Sequence, residues 1–150
     1  MTDLFSKTVE TLTSCLGLSK PDPNKDIISL KIDEQECHIT EHPIGYILMF
    51  SSLGPIEKND MEQLLSIGMF NKEANTPVIG YDKEHDHVIL WNRQSLNESN
   101  RENTYQQLEL LTQYYDSIVK DEPTTSKSQH PKTGTTSEPI PIKKPVFPRF

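Results

Sequence analysis

The sequence predicts an α+β protein with the element order helix, three strands, helix, two strands, helix. Three stretches repeat apolar residues at helical spacing, and five short stretches carry strand patterning between turn residues. A length of 150 residues suits one domain with a real core.

The first helix starts at Thr2, a residue suited to capping, and carries Phe5, Val9, Leu12 and Leu16 on one face until Gly17 ends it. SKPDPNK, with two prolines and an asparagine, is a loop. DIISLKID alternates Ile28, Leu30 and Ile32 with Ser29 and Lys31, the pattern of a half-buried strand. Glu36 to His42 forms a second strand, whose period of two puts Glu36, His38, Thr40 and His42 on one face and Cys37, Ile39 and Glu41 on the other. Pro43 and Gly45 turn the chain into Tyr46–Phe50 (YILMF), a third strand apolar on both faces.

Met61, Leu64 and Leu65, continuing towards Met69, mark a second helix of about ten residues, capped by Asn59 or Asp60. TPVIGYD and HDHVILWNR form a strand pair around a polar turn at Lys83–Asp86. The second of them is again apolar on both faces, Val88 and Leu90 against Ile89 and Trp91. Asn100–Lys120 closes the order with a helix carrying Tyr105, Leu108, Leu111 or Thr112, Tyr115, and Ile118 or Val119.

Composition divides the chain into a domain at 1–122 and a Pro/Ser/Thr/Lys-rich tail at 123–150, which holds six of the eleven prolines. The tail cannot bury enough apolar surface to offset its ordering and is expected to be disordered. Of the net charge of −7, the tail carries +4 (five basic residues, one acidic), which leaves −11 on residues 1–122. Such a body repels phosphate backbones and anionic lipid, so nucleic acid is not an expected partner, and a basic one suits it better. The longest apolar run, Ile44–Phe50, falls far short of the roughly 20 residues of a membrane helix, so no membrane insertion is expected. Two cysteines make no disulfide framework, and the first residues lack an apolar signal region. The expectation is a cytoplasmic protein.

Candidate chemistry is sparse. Two histidines four apart on a strand are about 13 Å apart along it, which keeps His38 and His42 from sharing a metal. His85 and His87 belong to another hairpin and lack a third ligand. Cys37 shares a face with Ile39, the setting of a small buried hydrophobe rather than a nucleophile. The six glycines form neither GxGxxG nor GxxxxGK[ST]. No catalytic residue, metal site or cofactor is expected, and an enzyme using Cys37 with His38 has no support from spacing. What stands out is surplus apolar surface: strands apolar on both faces, with Met49, Met61 and Met69 nearby and only three helices to cover one sheet. Surplus of this kind implies a protein partner.

The strings Cys37–Pro43 (CHITEHP), Ile47–Phe50 (ILMF), Leu90–Gln94 (LWNRQ) with Leu96 and Asn97, and Gln107–Glu109 (QLE), set in this element order and in a small acidic chain, resemble the class I type III secretion chaperones of the Tir/CesT family. The resemblance runs from about Leu4 to about Val119 and is closest to the chaperones that serve a YopE-like effector. It implies a twisted antiparallel sheet and a bacterial cytoplasmic homodimer joined around the second helix and fourth strand. It also implies a client, the extended N-terminal chaperone-binding segment of an effector acting on Rho-family GTPases, held without ATP. The secretion apparatus ATPase is a further implied partner. Carried onto this sequence, the effector-binding residues are Phe5, Val9, Ile28, Ile47, Leu48, Met49, Phe50, Leu90 and Trp91, and the dimer residues are Met61, Leu64, Leu65, Val78, Ile79 and Tyr81. A small dimeric regulator or adaptor of the same fold is the alternative. The second helix, the loop around Pro21–Asn24 and above all the tail depart from the family pattern.

Overall fold

The computed structural model describes residues 2–55, 58–67 and 75–120. Within them lie α1 (Asp3–Cys15), β1 (Ile27–Ile32), β2 (Gln35–Glu41), β3 (Tyr46–Gly54), α2 (Lys58–Ile67), β4 (Val78–Asp82), β5 (His87–Ser95), a 3-10 turn (Leu96–Glu98) and α3 (Arg101–Lys120). The element order is the one read from the sequence, with β3 running on to Gly54. Met69 and the tail lie outside the described residues.

Helix α1 is anchored at its start. Thr2 Oγ1 accepts from the Phe5 amide at 3.3 Å, while the Thr2 amide and hydroxyl donate to the two Glu41 carboxylate oxygens at 2.7 and 2.9 Å. The Gly45 amide donates to the same carboxylate at 3.0 Å. Desolvation opposes ionisation of Glu41, but the bonds from Gly45 and Thr2 outweigh it and hold the group below its usual range. One strand-end carboxylate thus ties α1 to the β2–β3 turn. At the other end of α1, Gly17 takes the left-handed conformation (φ +72°) that suits a residue without Cβ.

The five strands form one antiparallel sheet in the order β1-β2-β3-β5-β4. Its inner face carries Ile28, Leu30, Ile32, Cys37, Ile39, Ile47, Met49 and Leu90, which join Phe5, Val9 and Leu12 of α1 and Tyr105, Leu108 and Leu111 of α3 in one core cluster. Both long helices therefore cover the same face. Leu64 of α2 is buried but stands outside that cluster.

A buried polar bridge sets the position of α3. Gln107 Nε2 donates to the Ile47 carbonyl at 3.2 Å and to Asn92 Oδ1 at 3.2 Å, and Asn92 Nδ2 donates to the Gln107 carbonyl at 2.8 Å. From Gln107 the helix runs on for 13 residues to Lys120, about 20 Å at 1.5 Å per residue. It runs back along β5 towards the end of the sheet that holds the β1–β2 and β4–β5 turns. There Tyr115 and Ile118 pack against the core cluster, and burial raises the Tyr115 hydroxyl, with the charges of Asp116 and Glu34 adding to the shift.

Candidate protein-interaction face

The pairing register sorts every strand residue onto one of two faces. Phe50 pairs with Trp91, Leu48 with Arg93 and Ser52 with Ile89. His38 pairs with Phe50, and Val78 with Trp91. One transverse row therefore runs His38, Phe50, Trp91, Val78 across four strands, with Leu48 and Ile89 on either side, all opposite the core. These are the second faces of the doubly apolar strands. They are half-buried by packing on one another, and Val78 is 46% exposed.

The row is held by ring contacts. The His38 and Phe50 rings lie 5.1 Å apart at 36°. The Arg93 guanidinium sits over the Tyr46 and Trp91 rings, 5.2 and 5.8 Å from their centroids, where the ring quadrupoles attract it. A Cβ on Gly80 would meet the Trp91 indole nitrogen at 3.4 Å, so glycine there leaves room for the ring to approach β4 closely. Ile89, Tyr46 and Arg93 were not singled out as site residues in the sequence; their shared parity with Trp91 or Phe50 was the available signal.

The nine expected effector-binding residues divide. Leu48, Phe50 and Trp91 lie on this outer face. Phe5, Val9, Ile47, Met49 and Leu90 are fully enclosed in the core, and Ile28 is buried there with them. Their surface is used by the subunit itself, since α1 and α3 both pack on the inner face, so contact with a client would require opening the core. The six dimer candidates also divide. Leu65, Val78 and Tyr81 are 59%, 46% and 53% exposed, whereas Leu64 is buried and Ile79 packs against the core cluster. Met61 is half-buried.

The reactive groups are apart. His38 and Cys37 point to opposite faces, and among the described residues no group of three His, Cys, Asp or Glu could hold a metal ion. Cys15 borders an open cleft of about 560 Å³ between α1 and the start of α3, where Arg101 Nε donates to its Sγ at 3.0 Å. Burial pushes the Cys37 thiol from 9.0 up to about 12, against a smaller lowering by Ser51. A group whose folded value is raised stabilises the fold below its unfolded value, and that contribution is lost as pH rises from 9.0 towards about 12. The unfolding free energy from denaturant titrations should fall over this window by up to about 1.4 kcal/mol per pH unit, a slope that Cys37→Ala should flatten. Iodoacetamide at about pH 8 should label Cys15 and spare Cys37 in the native protein; equal labelling would contradict the buried placement.

No helix among the described residues is long and apolar enough to cross a membrane. Residues 7–117 match the family model described as Tir chaperone protein (CesT). The YopE regulator of Yersinia enterocolitica is 40% identical over 109 residues, covering 73% of this chain and 84% of that protein. The YopE regulator of Yersinia pestis is 42% identical over 110 residues, with the same coverage. A chain of the ExoT–SpcS complex from Pseudomonas aeruginosa superposes with a TM-score of 0.68 at 30% identity, covering 78% of this chain and 98% of that one. Sheet order, two helices on one face and matched sequence over most of the chain agree: the protein belongs to the Tir chaperone protein (CesT) family of type III secretion chaperones.

Proposed function

We propose that this protein keeps a YopE-like effector soluble and ready for secretion by holding the effector's N-terminal segment in extended form. It does so in the bacterial cytoplasm, as a homodimer, without ATP and without catalysis. The observation that carries this reading is the outer row of Leu48, Phe50, Ile89 and Trp91, apolar and half-buried on the face that α1 and α3 leave alone. Fully burying such a side chain is worth about 1.5–3 kcal/mol. These are already half covered, so about half of that remains for each. Four together offset the about 2–5 kcal/mol needed to order an otherwise unfolded segment. The kinship with the YopE regulators supports the choice of client. The chaperone domain is residues 1–122, and the segment 123–150 is an addition to it.

The test is co-expression with the N-terminal region of a YopE-like effector, followed by size exclusion and mass spectrometry of the bound chain. A protein that elutes alone, with the effector segment insoluble, would defeat the reading. For assembly, the exposed Leu65 on α2 is the favoured contact. Leu65→Asp would set two carboxylates facing each other across a two-fold axis, desolvated and repelling. Dimer affinity is expected to fall at least about 100-fold, on the order of 3 kcal/mol. Light scattering that still finds a dimer at low protein concentration would place the interface elsewhere.

A further inference from the structure

The chain carries its own candidate occupant for the outer face. After α3 ends at Lys120, 30 further residues follow, ending in Pro139–Phe150, PIPIKKPVFPRF. This stretch spaces Ile140, Ile142, Val146, Phe147 and Phe150 between prolines and lysines, a composition that favours extended backbone able to lay apolar side chains and proline rings on aromatic surfaces.

Charge points to the same place. The chain leaves α3 at the end of the sheet that holds Asp33 and Glu34 in the β1–β2 turn and Asp82, Glu84 and Asp86 in or beside the β4–β5 turn, with Lys83 the one cation among the latter. The tail that follows is net +4, and Lys143, Lys144 and Arg149 lie within its final stretch. On the outer face Arg93 sits on the far side of Trp91 from these turns, and Lys31 stands on β1 paired across from Glu36, so the acidic end keeps a negative balance towards an incoming basic segment. Reach is ample. Trp91 lies four residues along β5 from His87, about 13 Å, and one layer of about 10 Å separates the two faces. The 18 residues from Asp121 to Glu138 span up to roughly 60 Å when extended.

We propose that Pro139–Phe150 docks on the outer face of its own subunit, over Trp91 and Phe50, when no client is bound. Its lysines and Arg149 lie towards the acidic turns, and a client displaces it. The tail then shields the apolar row in the empty chaperone. The docking itself does not depend on the client reading, which enters only in what the tail gives way to.

Trp91 is the chain's single tryptophan and reports directly on its own cover. Acrylamide quenching of the full-length protein, with no client present, is measured for the wild type, for Phe147→Ser/Phe150→Ser and for Lys143→Glu/Lys144→Glu. A tethered segment has an effective concentration in the millimolar range, so the face is occupied most of the time and the first variant should raise the quenching constant about twofold. The charge variant should give a smaller rise, as should high salt on the wild type. Equal constants in all three proteins would overturn the proposal, whether the face is bare or covered by a second copy. So would a rise that light scattering traces to separation of subunits. Because no client is used, failure here leaves client capture standing, and failure of capture leaves this result readable.

Discussion

Trp91→Asp, alone or with Phe50→Asp, is expected to abolish recovery of the effector segment while the protein still folds. The two side chains pair directly across β3 and β5 on the half-buried face opposite the core, so a carboxylate there stays outside the core and costs the fold little. In the complex the same carboxylate would be stripped of water, with Arg93, still held over the Tyr46 ring, as its neighbouring cation. Aromatic anchors at interface centres cost about 2–4 kcal/mol when truncated, a loss of roughly 30- to 1,000-fold in affinity, and the added charge drives the effect to the upper end. The measurement is client affinity by calorimetry beside thermal midpoints of the free variants. Full affinity with an intact fold would move the client off this face.

Phe5→Ala should do the reverse. Phe5 is 0% exposed and packs in the core cluster with Val9 and Leu12, so its truncation removes one of the largest buried side chains and leaves a cavity under α1. Such changes cost about 3–5 kcal/mol. For a folded part of this size, each kcal/mol lowers the midpoint by roughly 3–6 °C, giving a drop of about 9–30 °C. The denaturant slope should stay near that of the wild type. Client affinity, measured well below the new midpoint, should change little. An unchanged midpoint with lost affinity would instead return Phe5 to the client surface implied by the family resemblance.

Glu41 shows how local pattern and long-range structure divide the work. Its parity with Cys37 and Ile39 was readable from period two, and Thr2 was readable as a cap. That the two meet across 39 positions, with Gly45 on the same carboxylate, was not, because nothing in either segment encodes its distance from the other. Gln107 is the sharper case. A glutamine in a helix reads as solvent-facing, yet here it is fully buried because Asn92 and the Ile47 carbonyl supply partners for its amide. The 3-10 turn at Leu96–Glu98 was likewise unmarked, since its three residues are too few to show a period.

By itself the sequence determined the elements, their order and the surplus of apolar side chains, because helical and strand periods are local properties of a chain in water. In β1 it also determined which side is buried, since Ser29 and Lys31 leave only one apolar face. In β3 and β5 both faces are apolar, and either could have met the helices at similar gain in buried area. Only the tertiary structure decided. The Gln107–Asn92 bridge seats α3 on the side of Ile47, Met49 and Leu90, which commits those residues to the core and leaves Leu48, Phe50 and Trp91 outside.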